Sequence, residues 1–170
     1  MTSSALILLA IFAGALAIYL LGKASADGDI HRKYGLSPGR FELLATDHAD
    51  RKYARFSASN VAGIPDTLFK DRGDGSLVVG EFKNRTYRGS VLYRDYYQVV
   101  LYIGLVLDAY PGSKVTGVLA FKNHRVKVFF DRDIYLSLLE MRSEVLSSMK
   151  QGKPVNPAPL HKRMRVRLPA

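Results

Sequence analysis

The 170-residue sequence contains no cysteine. This absence excludes a disulfide scaffold, a thiolate zinc site, a cysteine-ligated iron–sulfur cluster and a thiol nucleophile. Acidic residues are also scarce: 15 Asp and Glu stand against 25 Lys and Arg, which gives a formal net charge of +10. Such an excess favours polyanionic partners, either the phosphates of a nucleic acid or anionic lipid headgroups.

Charge is missing from residues 1–22, whereas every charged side chain lies between residues 23 and 170. Residues 5–21 are apolar apart from one glycine and one tyrosine, and as a helix they span about 26 Å, close to the thickness of a bilayer core. Basic residues follow this run and none precedes it, which predicts a single-pass membrane anchor with the C-terminal domain in the cytoplasm. A cleaved signal peptide ending near residues 24–26 and a buried helix are the alternatives.

Composition divides the rest of the chain into three parts. Residues 23–40 have the composition of a polar linker, residues 41–150 that of a folded domain, and residues 151–170 that of a basic tail with several prolines. In the domain, hydrophobic periodicity and turn residues predict the order β-β-α-β-β-α. The predicted elements are strands 61–70 and 77–83, a helix over 91–110, strands 115–122 and 125–131, and a helix over 134–149.

A hairpin is predicted around residues 71–76, which are a dense cluster of turn formers. With the turn centred on residues 73–74 Asp66 faces Glu81, and with the turn one residue later Asp66 faces Lys83. Both registers leave these three side chains on one face, because side chains alternate along a strand. Two carboxylates about 5 Å apart repel each other unless a cation lies between them. Their oxygens suit Mg²⁺ or Mn²⁺, and a neighbouring lysine can orient or deprotonate a water that attacks a phosphate.

Three motifs follow one another in the predicted elements: Gly63-Ile64-Pro65-Asp66, Glu81-Phe82-Lys83 and Gln98-x-x-x-Tyr102. Together they resemble the PD-(D/E)xK nuclease superfamily, and most closely its RecB-like branch, which includes the CRISPR-associated exonucleases. The resemblance covers roughly residues 41–149. It implies an α/β fold with a restriction-endonuclease-like core, in which helices flank a mixed central β-sheet, preceded here by the transmembrane helix.

The resemblance also implies a role for each motif residue. Asp66 and Glu81 would bind Mg²⁺ or Mn²⁺ together with the backbone carbonyl of Phe82, and Lys83 would be the catalytic lysine. Gln98 and Tyr102, which share a helical face at i and i+4, would lie beside the bound nucleic acid and complete the catalytic set. Taken singly, these residues also suit a surface ion pair and an ordinary helix core.

The sequence departs from the family in two places. Many members of the branch hold an iron–sulfur cluster through cysteines, and no such cluster can form here. Many also have a metal-binding histidine upstream of the aspartate, for which His48 is the nearest candidate. A surface role for His48 is the alternative, because it lies between two aspartates.

Basic and aromatic residues surround the start of the predicted helix 91–110. Arginines can neutralise phosphates and tyrosines can stack on unpaired bases, so this segment is a candidate surface for DNA, including single-stranded DNA. Ordinary core contacts are the alternative for the tyrosines. The candidate nucleic-acid-binding residues are Arg85, Arg88, Arg94, Tyr93 and Tyr97.

These observations predict a membrane-anchored nuclease that hydrolyses DNA phosphodiester bonds with Mg²⁺ or Mn²⁺. Two other classes of protein fit the same basic chain. One is a non-catalytic nucleic-acid-binding protein on a nuclease-like fold, and the other is a structural protein of the membrane surface.

Overall fold

The computed structural model describes residues 3–47 and 54–163. These residues form the following elements in chain order: α1 (Ser3–Tyr34), β1 (Phe41–Thr46), β2 (Phe56–Ala58), β3 (Val61–Gly63), β4 (Thr67–Asp71), β5 (Leu77–Lys83), α2 (Tyr93–Ala109), β6 (Val115–Phe121), β7 (Arg125–Val128), α3 (Arg132–Glu140), α4 (Arg142–Gln151) and α5 (Leu160–Arg163).

The central sheet is mixed and has the strand order β1-β4-β5-β6-β7. β5 and β6 pair in parallel, and α2 connects them, whereas the other neighbours in this sheet are antiparallel. A parallel pair needs such a crossover connection because a tight turn cannot join its ends. β2 and β3 form a separate two-stranded ribbon. The mixed sheet and the helices confirm the predicted α/β architecture.

Apolar side chains cover both faces of this sheet. α2 packs on one face, where Val79, Ile103 and Leu119 are completely buried. The C-terminal part of α1 packs on the opposite face. The second core is built from Ile30, Tyr34, Phe69, Val78 and Ala120. β5 is therefore enclosed on both faces, and side chains at its C-terminal end are held by the layers around it.

The predicted membrane anchor is wrong. α1 continues without a break through residues 23–34, the first part of the predicted linker, and Ile30 and Tyr34 near its end are buried on the sheet. His31 bridges the two elements, with its ring nitrogens 2.7 Å from the Asp27 carbonyl oxygen and 2.8 Å from the Phe41 carbonyl oxygen. Over residues 3–47 and 54–163, no helix is both long enough and apolar enough to cross a bilayer. A transmembrane helix over residues 5–21 and a single-pass membrane localisation are therefore not supported.

The predicted hairpin is confirmed, and its register is now defined. Thr67 pairs with Gly80 and Leu68 with Val79, which is the alternative that sets Asp66 against Glu81. The long predicted strand 61–70 is divided, because the chain leaves β3 and passes Pro65 before β4 begins. Proline donates no ladder hydrogen bond, so a break there is expected.

The other differences are at the C-terminal end. The predicted helix 134–149 is two helices, which meet at Met141. α4 ends at Gln151 because Gly152 takes the left-handed conformation. The predicted irregular tail is exposed from residue 152 to residue 160, and the short α5 follows at Leu160–Arg163.

Candidate active site

A chain of side-chain hydrogen bonds joins the end of β5 to α2. The Lys83 ammonium donates to Glu81 Oε1 at 2.9 Å and to Gln98 Oε1 at 2.7 Å. The Gln98 amide in turn donates to the Tyr102 hydroxyl oxygen at 3.1 Å. The spacing of two residues on the strand and four on the helix makes this possible, because each pair then shares a face. The structure thus brings four predicted site residues into one connected network.

Asp66, the residue before β4, lies near enough to Glu81 and Lys83 to interact with both electrostatically. Its Oδ2 accepts a 2.6 Å hydrogen bond from the backbone N–H of Phe82. Burial raises the pKa of Asp66, and the Phe82 hydrogen bond opposes this rise. The charge of Asp47 raises that pKa further, while Lys83 lowers it. Asp66 is therefore a partly desolvated carboxylate that lies within the electrostatic field of the network.

Glu81 is the most enclosed acidic group of the network, with a residue exposure of 5%. Burial raises the pKa of Glu81, the Lys83 hydrogen bond lowers it, and the charge of Asp66 raises it. Its Oε2 is buried and has no hydrogen-bond partner in the part of the chain that the structure describes. A buried carboxylate oxygen without a partner is costly, and a cation would satisfy it.

The donor set fits a hard divalent cation. Asp66 and Glu81 could supply carboxylate oxygens, and the Phe82 carbonyl is the third ligand that the family resemblance implies. Mg²⁺ commonly takes one or two protein carboxylates and keeps several waters, so two acidic residues suffice. Within the described residues no group of three His, Cys, Asp or Glu side chains could hold a metal ion. His48, the candidate histidine ligand, lies outside the described residues.

Asp95 also belongs to the site, although the sequence motifs do not include it. This buried carboxylate in the first turn of α2 forms a short ion pair with Arg85 and lies 3.7 Å from the Lys83 ammonium. Its spacing of three residues from Gln98 was the available signal, because i and i+3 share a helical face. Asp95 links the network to the basic segment that follows β5.

Tyr34 also lies next to Asp66, although the sequence places it in a predicted linker. It lines a small cavity of about 60 Å³ together with Asp47, Asp66 and Phe82. Burial raises the pKa of Tyr34 strongly, and the charge of Asp66 adds to this rise. The tyrosine therefore remains a neutral hydroxyl next to the candidate metal ligand.

The candidate nucleic-acid-binding residues separate into exposed and buried groups. Arg85 and Arg88 line a groove, while Arg94 and Tyr93 are exposed on the first turn of α2. Tyr97 is not available for stacking: only 4% of it is exposed, and its hydroxyl is buried. Its ring packs against the other α2 tyrosines, at 6.0 Å from Tyr93 between centroids. The expectation for Tyr97 is therefore wrong, because its position on α2 faces the core.

No protein-family model and no curated protein matches the chain. Among solved structures it is similar to one described as "Crystal structure of SSO0001", with a TM-score of 0.42 and 12% sequence identity. The similarity covers 85% of this chain and 66% of that one, so the chain spans slightly less than two thirds of the solved structure. A likeness of this size supports no inference about activity.

Proposed function

We propose that this protein is a metal-dependent nuclease that hydrolyses DNA phosphodiester bonds. One observation carries the proposal: one carboxylate oxygen of Glu81 accepts a hydrogen bond from Lys83, and the other is buried with no hydrogen bond from residues 3–47 or 54–163. Asp66 adds a second desolvated carboxylate whose charge acts on Glu81. Two such groups next to a lysine form a site that a divalent cation completes.

Asp66 and Glu81 would hold Mg²⁺ or Mn²⁺ with the Phe82 carbonyl. When bound, the ion would polarise the phosphate as a Lewis acid and lower the pKa of a coordinated water. A bound ion would also offset the repulsion between the two carboxylates.

Lys83 acts on the phosphate from a fixed position. An ammonium group has three donors, and Glu81 and Gln98 each accept from one of them. The remaining donor can bind a phosphate oxygen or orient the attacking water, and there it offsets the negative charge of the transition state. Tyr102 holds the Gln98 amide, so it positions Lys83 indirectly.

Cleavage of fluorescently labelled DNA with Mg²⁺ or Mn²⁺ tests this proposal. Asp66→Asn, Glu81→Gln and Lys83→Met are each expected to lower the rate by at least about a hundredfold, the scale of losing one electrostatic or acid–base contribution. Glu42→Gln is the matched control, because Glu42 is half exposed on β1 and pairs only weakly with Arg72 at 3.8 Å. Folded variants of the three site residues that cleave at the wild-type rate would refute the assignment.

A non-catalytic nucleic-acid-binding protein is the second candidate. The observation that favours it is the ion pair between Lys83 and Glu81, which already neutralises one carboxylate without any metal. Calorimetry separates the two candidates. Salt-dependent DNA binding without measurable Mn²⁺ binding identifies a non-catalytic binding protein. Mn²⁺ binding that is abolished in Glu81→Gln supports the nuclease.

A further inference from the structure

A groove opens beside the candidate active site, between residues 85–92 and Phe121 at the end of β6, next to the turn from β6 to β7 at residues 122–124. We call it the loop groove. Its volume is about 390 Å³, within the range of small-molecule sites. Its lining residues include Arg85, Tyr87, Arg88, Ser90 and Phe121.

The groove is preformed by backbone contacts. The Asn123 side chain accepts from the Tyr87 backbone N–H at 2.8 Å and donates to the Tyr87 carbonyl at 3.4 Å. The Lys122 backbone N–H also donates to the Arg85 carbonyl, at 3.2 Å. These bonds fasten the loop to the neighbouring turn, so a ligand meets a wall that needs little ordering.

Aromatic rings lie in the groove and next to it: Tyr87 and Phe121 line it, and His124 lies beside it on the turn from β6 to β7. Tyr87 stacks on His124 with ring centroids 4.5 Å apart and an interplanar angle of 18°, and it also contacts Phe121 at 5.2 Å. His124 is exposed. Flat aromatic rings at a protein surface are platforms on which nucleobases stack, whatever the base.

Positive charge lies at the same place. Arg88 is exposed and has no ion-pair or hydrogen-bond partner among residues 3–47 and 54–163. Arg85 lies against Phe121, with its guanidinium 5.3 Å from the ring centroid, and pairs with Asp95. Asp95 also contacts Lys83, so the groove and the candidate active site are connected through one buried carboxylate.

We propose that the loop groove binds an unpaired nucleotide of single-stranded nucleic acid, with Arg88 on a phosphate and the Tyr87–His124 stack under a base. An unpaired base offers a free face, whereas the bases of a duplex already stack on one another. The inference deepens the proposed function, since the groove begins two residues after Lys83 and would hold the strand next to the scissile phosphate.

Fluorescence anisotropy of a labelled oligothymidylate in EDTA tests the inference without cleavage. Arg88→Ala is expected to weaken binding and to reduce the slope of log K against log salt by about 1, the signature of one lost phosphate contact. Arg72→Ala is the matched control, because it removes an exposed arginine at the opposite end of the β4–β5 hairpin. An equal loss of slope in both variants overturns the inference, since it indicates diffuse charge.

The base contact is tested separately. Tyr87→Leu is expected to lower the affinity for oligothymidylate roughly tenfold, while Tyr87→Phe keeps the stack and the affinity. Circular dichroism confirms that both variants fold. A duplex of the same length should bind more weakly and should not respond to Tyr87→Leu. Duplex binding that is as tight as single-strand binding, with the same response to Tyr87→Leu, overturns the proposal.

The outcome for the groove is independent of the outcome for catalysis. If no variant or metal gives cleavage but Arg88→Ala and Tyr87→Leu weaken binding, the groove stands and the nuclease proposal fails. If DNA is cleaved in an Asp66-dependent manner but neither groove variant alters binding, the nuclease proposal stands and the groove fails.

Discussion

The backbone N–H of Phe82 donates a 2.6 Å hydrogen bond to Oδ2 of Asp66, which fixes the entrance to β4 against the C-terminal end of β5. Phe82 lies between Glu81 and Lys83, whose side chains point to the α2 face of the sheet. One main-chain donor therefore sets the position of Asp66 relative to the other two charged groups. Geometry that depends on a backbone bond survives substitution of the side chains around it.

Asp66→Asn should stabilise the metal-free protein while it abolishes metal-dependent activity. Asparagine keeps an acceptor for the Phe82 N–H but removes a desolvated charge. Burial raises the pKa of Asp66 above its usual 3.8, so the folded state binds this proton more readily than the unfolded state. The wild-type protein therefore loses free energy of unfolding as pH rises from 3.8 through the raised pKa of Asp66, and this loss persists at neutral pH.

Urea unfolding in EDTA measures this effect. At neutral pH Asp66→Asn is expected to raise the free energy of unfolding by about 1 kcal/mol. In acid, near the usual pKa of the group, the gain should disappear because wild-type Asp66 is then protonated. A variant that is less stable than the wild type at neutral pH contradicts the assigned burial cost.

Mn²⁺ should stabilise the protein at neutral pH and have little effect in acid. Burial raises the pKa of both Asp66 and Glu81, so protons compete with the metal over a wider range than for exposed carboxylates. Ligand binding at a hundred times Kd adds about 2.7 kcal/mol to the free energy of unfolding. Thermal melts with and without Mn²⁺ at several pH values give the profile.

Glu81→Gln controls for binding of Mn²⁺ elsewhere on the protein. Mn²⁺ should not shift the Tm of Glu81→Gln at any pH, whereas it should shift the Tm of Glu42→Gln as much as that of the wild type. A Mn²⁺-induced shift that persists in Glu81→Gln would place the metal outside the predicted site.

Lys83→Met should destabilise the folded protein, because it removes the cation that lies 2.9 Å from the buried Glu81 carboxylate. Asp95, 3.7 Å from the same ammonium, keeps its ion pair with Arg85. Lys83 is only 16% exposed and Glu81 6%, measured on their side chains, so solvent screens this pair weakly. We expect a loss of about 2 kcal/mol, somewhat below the cost of breaking a fully buried ion pair.

A double-mutant cycle with Glu81→Gln isolates the pair. The double variant should be more stable than the sum of the two single losses predicts, by about 1–3 kcal/mol. Urea unfolding of all four proteins in EDTA provides the values. Additive losses would indicate that the Lys83–Glu81 contact contributes nothing in solution.

Local patterns were enough to predict the part of the fold that carries the site. The turn formers between β4 and β5 and the apolar run of α2 are short-range signals, so the hairpin and Gln98–Tyr102 followed from sequence. The register of the hairpin did not, since both turn alternatives share one alternation pattern. Tyr97 shows the same limit, because an aromatic residue on an apolar helix has equal reason to face solvent or the core.

The role of α1 could not be derived from the sequence. Residues 5–21 form a long apolar run, and hydropathy alone does not say what such a run contacts. Ile30 and Tyr34 are buried by strands far along the chain, and the glycines and aspartates around them indicate a linker by composition. Contacts with strands that are distant in sequence make residues 23–34 part of a helix packed on the sheet, although their local composition is that of a linker.

Gly80→Ala tests whether the packing of α1 on the sheet supports the site. Gly80 lies opposite Thr67, and an added Cβ would stand 2.1 Å from Thr67 Oγ1 and 2.7 Å from Tyr34 Cε1. Tyr34 must then move away from the sheet, and it lines the same small cavity as Asp66. Overpacking of this kind costs about 1–3 kcal/mol. The affinity for Mn²⁺ should fall as well.

Gly28→Ala is the matched control, since this α1 glycine has open space around its Cβ position. Alanine is the better helix former, so this variant should gain up to about 1 kcal/mol and bind Mn²⁺ as the wild type does. Calorimetry and urea unfolding on both variants separate the two effects. If Gly80→Ala loses stability but binds Mn²⁺ normally, α1 supports the sheet without positioning Asp66. If Gly80→Ala keeps both its stability and its affinity for Mn²⁺, the close contact of Tyr34 with β5 does not exist in solution.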